Sequence, residues 1–117
     1  MTTAIFTLKE HGQEDKTYRP TQKTIEKIFA EADEYGDSRF TSLLDYAIKH
    51  WYGKNKFFWR DNGLKDQGIF GQVCEPLPEK LGGGNNCVTS RIYVSMDVNG
   101  HDVCNGPDLE RALKEEK

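Results

Sequence analysis

Between Ser38 and Gly53 apolar residues recur at Phe40, Leu43, Leu44, Ala47, Ile48 and Trp51. That spacing keeps one stripe on a helix for about three turns. Asp37 and Ser38 can cap its start, and Gly53 ends it. Upstream, Pro20 and Thr21 open a second periodic stretch, Ile25, Ile28, Phe29 and Ala32, which Gly36 can close in the left-handed region. So few residues separate the two stripes that the helices must turn back on each other, or cross at a steeper angle, with both stripes facing one core.

Past Gly53 the period changes. Short apolar runs at residues 56–60, 69–75 and 91–98 are separated by turn-forming residues and read as strands, as does Ala4–Lys9 near the start. Residues 10–19 have no periodicity and read as a polar loop. Asp61-Asn62-Gly63 marks a turn, Pro76 and Pro78 end the 69–75 run, and Gly82-Gly83-Gly84-Asn85-Asn86 reads as a flexible loop. Along 91–98 Ile92, Val94, Met96 and Val98 share one face, and Arg91, Tyr93, Ser95 and Asp97 the other; the first set is core. Asn99-Gly100 is a strong hairpin signal, pairing Val98 with His101, Asp97 with Asp102 and Met96 with Val103, so a last strand covers 101–104. Gly106-Pro107-Asp108 then starts a short closing helix with Leu109, Ala112 and Leu113 inward.

The expected fold is therefore α+β: a two-helix hairpin on a mostly antiparallel sheet of four or five strands, ordered β-α-α-β-β-β-β-α, with a short C-terminal helix. At 117 residues the whole chain, 1–117, is expected to be one domain. Thirteen aromatics and 36% hydrophobic residues supply a core that disordered chains lack. No apolar run approaches the ~18 residues of a membrane span, and residues 1–10 do not carry a secretory signal pattern. Three cysteines, Cys74, Cys87 and Cys104, cannot all pair internally, so reduced thiols and a cytoplasmic location are expected, with no membrane partner.

Composition is uneven at one place. Residues 49–60 hold Trp51, Tyr52, Phe57, Phe58 and Trp59 among Lys49, Lys54, Lys56 and Arg60, and no acid. The segment carries +4 in a chain of formal charge −3, which leaves −7 for the rest. Aromatics interleaved with cations suit base stacking or the grip of an acidic partner, and they suit a buried helix end and strand equally. Helical spacing assigns Trp51 to the buried stripe, while strand alternation separates Phe57 and Trp59 from Phe58 and Arg60. Tyr52, Lys54, Lys56, Phe57, Trp59 and Arg60 are the candidate partner-binding residues. The acids Glu26, Glu31, Asp33, Glu34 and Asp37 gather on and after the first helix, and Glu110, Glu115 and Glu116 lie at the end. Of these, Glu31 and Glu34 are the candidates for complementing a basic surface.

Catalytic signals are weak. His101-x-x-Cys104 with Cys87 and Cys74 has only one close pair where zinc sites normally use two, and residues three apart on a strand face opposite ways. Residues 97–102 fail the calcium-loop pattern because Asp102 stands where glycine is needed, leaving Asp97 opposite Asp102 as a like-charge pair. Gly82-Gly83-Gly84 is not followed by the Lys and Ser/Thr of a phosphate loop. No metal, cofactor or catalytic residue is assigned. The expected function is a cytosolic macromolecule-binding protein, an inhibitor or regulator of the immunity, antitoxin or viral counter-defence type acting on another protein. The alternatives are a single-stranded nucleic-acid-binding module using residues 49–60, and an enzyme or zinc protein without a recognisable motif.

Overall fold

The computed structural model describes residues 1–61 and 68–115. The turn expected at Asp61-Asn62-Gly63 lies outside the described residues beyond Asp61, as does Glu116. The elements in chain order are β1 (Ala4–Lys9), β2 (Lys16–Tyr18), α1 (Gln22–Tyr35), α2 (Arg39–Tyr52), β3 (Phe57–Arg60), β4 (Ile69–Pro76), β5 (Asn85–Cys87), β6 (Ile92–Val98), β7 (His101–Asp102) and α3 (Gly106–Lys114), with a single 3-10 turn at Glu79–Leu81. The α+β class and the helix-pair order are those read from the sequence.

Local chemistry sets the helix limits. Thr21 Oγ1 accepts from Thr24 N, Ser38 Oγ from Thr41 N and Asn105 Oδ1 from Asp108 N, so each helix starts on a side-chain cap. Gly36, at φ 72°, closes α1 through its N–H to the Ala32 carbonyl. Asp37 only bridges α1 to the Ser38 cap.

Every strand pairing is antiparallel. The continuous path is β2-β1-β6-β4-β3, with β5 beside β4 and β7 beside β6. Residues 10–19 are thus not all loop, because Phe6, Thr7 and Leu8 pair with Tyr18, Thr17 and Lys16. Nor is the glycine-rich stretch loop to its end, since Asn85, Asn86 and Cys87 pair with Pro76, Glu75 and Cys74. Both strands are three-residue polar additions at a rim and carry no alternation to read. The last strand is shorter than expected, His101–Asp102, yet its register is as derived: Val98 opposite His101, Asp97 opposite Asp102, and Val103 N donating to Met96 O at 2.9 Å.

The core lies between this sheet and the helices. Ala4, Phe6, Leu8, Phe58, Ile69, Val73, Ile92, Val94, Met96 and Val98 point one way from the sheet and meet Ile25, Ile28, Phe40, Leu43, Leu44, Ala47, Ile48, Leu109 and Ala112. Trp51 departs from the expected burial: it is half-buried at the core margin, with its ring edge-on to Tyr18 at 6.5 Å. Gly71 is where two strands and a ring crowd together, because a Cβ there would meet the Trp59 carbonyl oxygen at 2.3 Å and the Phe58 ring at 2.9 Å.

Candidate functional site

Among the described residues all three helices contribute to a core on one side of the sheet, and no described helix covers the opposite side. Strand alternation and the observed register assign its residues. Thr17 lies opposite Thr7, Lys9 opposite Tyr93, Tyr93 opposite Phe70, and Gln72 opposite Trp59; Phe57 lies opposite Cys74. Trp59 is 56% exposed on β3, an edge strand, and Phe57, Phe70 and Tyr93 are half-buried. The Phe70 and Tyr93 rings are 4.7 Å apart, and the Arg91 guanidinium lies 5.9 Å from the Phe70 ring. A recess of about 340 Å³ beside Trp59 is lined by Arg60, Asp61, Gly71, Gln72 and Arg91.

The residues of the aromatic and basic segment do not form one surface. Phe58 is 8% exposed in the core. Arg60 lies with its guanidinium 5.2 Å from the Phe40 ring, on the helix side of β3. Lys56 is paired with Glu75 at 2.9 Å, and this ion pair holds the Glu75 carboxyl below its ordinary range, together with a hydrogen bond from Asn86. Lys54 is exposed at the helix-to-strand turn. Tyr52 donates its hydroxyl to Glu10 at 2.7 Å, and its pKa is raised, chiefly by burial and then by that hydrogen bond and charge. What remains outward-facing is Trp59, flanked by Phe57.

The β3 edge is also covered in part. Asp61 N donates to Phe70 O at 2.8 Å, which makes Trp59 and Gln72 a hydrogen-bonded pair and turns the N–H of Phe58 to the free edge. There it donates to Asp45 of α2 at 3.4 Å, and the Asp45 carboxyl, desolvated by burial, has its pKa raised. A capped edge strand is poorly disposed to accept a further strand.

Glu31 and Glu34 are exposed on α1, in the helical layer on the far side of the core from Trp59. Glu31 lines a groove between α1 and α2 with Tyr35, Asp37, Asp45, Tyr46 and Lys49. Asp33 is not part of a bare acidic face, because Arg39 donates to both its oxygens at 2.9 and 2.6 Å and keeps its carboxyl below the usual range. No single flat partner can cover both Trp59 and the two glutamates.

The metal ligands weighed in the sequence divide in the same way. Cys74 and Cys87 are opposite each other on β4 and β5 with their sulfurs 3.3 Å apart. His101 and Cys104 are at the β6–β7 hairpin, where the Cys104 thiol is 3.8 Å from Asp102 Oδ2. Among the described residues no group of three or more His, Cys, Asp or Glu side chains could hold a metal ion. His50 is stacked on Tyr18 at 3.9 Å. Asp97 does not simply confront Asp102, because its Oδ1 accepts from Gly100 N at 3.0 Å and closes the turn.

No helix among the described residues is long and apolar enough to cross a membrane. No family model, curated protein or solved structure matches this chain. The sequence places Arg91 and Tyr93 on the non-core strand face, but it does not show that Phe70, Tyr93 and Trp59 share one face across three strands. Strand order, not spacing, puts them there.

Proposed function

We propose that this chain works by binding another protein on the uncovered face of its sheet, with Trp59 as the anchor, and that it inhibits or regulates that partner by occupancy. The observation that carries the reading is a 56% exposed tryptophan flanked by Phe57 on the same sheet face as Phe70 and Tyr93, opposite the described helices. Leaving a tryptophan in water forgoes roughly 2 kcal/mol or more of burial, and Trp anchors of this kind dominate protein interfaces. The complementary partner surface is an apolar pocket ringed by carboxylates, facing Lys9 on the same sheet face and the exposed Lys54. The reduced thiols expected from the sequence support a cytosolic setting.

Charge favours protein over nucleic acid as the partner. Lys56 is occupied by Glu75 and Arg91 by Asp61 at 3.2 Å, so two of the cations nearest the rings are already neutralised. Phosphate binding draws its affinity from unneutralised cations.

The test compares capture by the unaltered protein, Trp59→Ala and the double change Glu31→Lys with Glu34→Lys, followed by titration of the purified partner. Trp59→Ala is expected to weaken binding by about 30-fold or more, the mark of a hot spot, with the double change close to the unaltered protein. A partner lost by the glutamate changes and kept by Trp59→Ala would refute the surface. Salt-dependent quenching of tryptophan fluorescence by a single-stranded oligonucleotide, abolished in Trp59→Ala, would transfer the face to nucleic acid.

A further inference from the structure

The cysteine pair lies beside Phe57 at the margin of the uncovered face and is built by register. Val88 N donates to Val73 O at 2.9 Å, so Val73 is hydrogen-bonded across to β5, and the next pair, Cys74 with Cys87, is a non-hydrogen-bonded one. Such pairs hold their Cα atoms about 4.5 Å apart, the closest approach in an antiparallel ladder and inside the range a disulfide spans. The sulfurs are 3.3 Å apart as thiols, so closing the bond requires only a small movement. The register shifts between β5 and β6, since from Cys87 to Ile92 the chain takes five steps while β4 takes three from Cys74 to Gly71. Thr89 fills the break, its Oγ1 accepting from Val73 N at 3.1 Å.

The two thiols differ in access. Cys87 is exposed and Cys74 is buried. Burial, with the neighbouring sulfur, pushes the Cys74 thiol up to about 11. One sulfur can therefore meet a reagent from solution, while the other is available only from within.

We propose that Cys74 and Cys87 form a thiol–disulfide exchange site that a low-molecular-weight disulfide oxidises to a cross-strand disulfide. The Cys87 thiolate attacks one sulfur of the reagent, breaking its S–S bond, forming a mixed disulfide and expelling one thiolate, which takes up a proton. Cys74 then gives its proton to solvent and attacks the Cys87 sulfur. The protein disulfide forms, the mixed disulfide breaks, and the second reagent thiol leaves. Two protein thiols lose two electrons and the reagent disulfide becomes two thiols. The product ties β4 to β5 across the loop at residues 77–84, beside Phe57, whose register partner is Cys74.

The test exposes the full chain carrying Cys104→Ser to oxidised glutathione, followed by alkylation and mass measurement. The expected product is about 2 Da lighter, takes up no alkylating reagent, yields a cross-linked peptide containing Cys74 and Cys87, and reopens with reduced glutathione. Cys87→Ser is expected to leave Cys74 unmodified over the same time, because the exposed sulfur is the point of attack. A glutathione adduct that persists on Cys87, or a covalent dimer through Cys87, would overturn the proposal. So would a bond between Cys74 and Cys104 in the unaltered sequence.

Discussion

Replacing Asn99 tests whether one turn residue fastens three parts of the fold. Asn99 has φ 53° and is followed by Gly100 at 86°, the pair of positive angles that a two-residue hairpin demands. Its side chain reaches two ways: Oδ1 accepts from Thr3 N at 2.9 Å, ahead of β1, and Nδ2 donates to Ala112 O at 3.2 Å, near the end of α3. Its backbone N–H adds a bond to Thr3 O at 3.0 Å. Asn99→Ala loses both side-chain bonds, about 1 kcal/mol each, and puts alanine in the left-handed region for about 1 kcal/mol more. The sum, about 3 kcal/mol, corresponds to a melting temperature lower by roughly 12 °C for a chain of this size. Asn99→Gly keeps the turn conformation and is expected to lose about 2 kcal/mol. Asn99→Asp keeps the turn and the acceptor for Thr3 N but sets a carboxylate against a helix carbonyl, so it should lie near the glycine variant. Urea unfolding of the three variants checks the order, and hydrogen exchange at Thr3 N should quicken in Ala and Gly but not in Asp. Three variants within about 0.5 kcal/mol of the unaltered protein would refute the fastening role, and Ala equal to Gly would remove the conformational part.

Gly71→Ala is expected to destabilise by about 1–3 kcal/mol, since the added Cβ meets backbone at 2.3 Å and cannot be relieved by a rotamer change; thermal unfolding measures it. Tyr52 has a folded pKa raised above its unfolded value near 10, so its contribution is fully present below pH 10 and is lost as pH rises beyond it. Tyr52→Phe should therefore cost about 1 kcal/mol at neutral pH and flatten the alkaline fall in stability, and an unchanged alkaline limb in that variant would contradict the assignment. Asp45, whose pKa is raised by burial, favours the protonated carboxyl, and its charged form weighs against folding above the ordinary carboxylate range. Asp45→Asn keeps an acceptor for Phe58 N and should raise stability at pH 7, with the gain shrinking as pH falls to about 4 and below.

Much of the frame was legible because it is written in local chemistry. Thr21, Gly36, Ser38 and Gly53 bound two helices whose stripes supply the buried face, and Asn99-Gly100 set the register of β6 and β7 in advance. The short strands β2 and β5 were not legible, since three polar residues at a rim have no period and gain order only from the neighbour they pair with. Half of the candidate segment dissolved for a related reason. Lys56 and Arg60 read from the sequence as available cations, but Glu75 and Phe40, 19 and 20 residues away in the chain, lie beside them.

Taken alone, the sequence determined the class, the helical pair, the core faces and one hairpin register, because each depends on periodicity or on a turn residue within reach of its neighbours. Only the tertiary structure decided that Trp59 looks out on the face that also carries Phe70 and Tyr93, that Glu31 and Glu34 lie on the other side of the core, and that Cys74 meets Cys87. Those three outcomes depend on strand order and on the register shift between β5 and β6. Both come from burying one sheet face under three helices, a condition of the whole chain that no short stretch of residues contains.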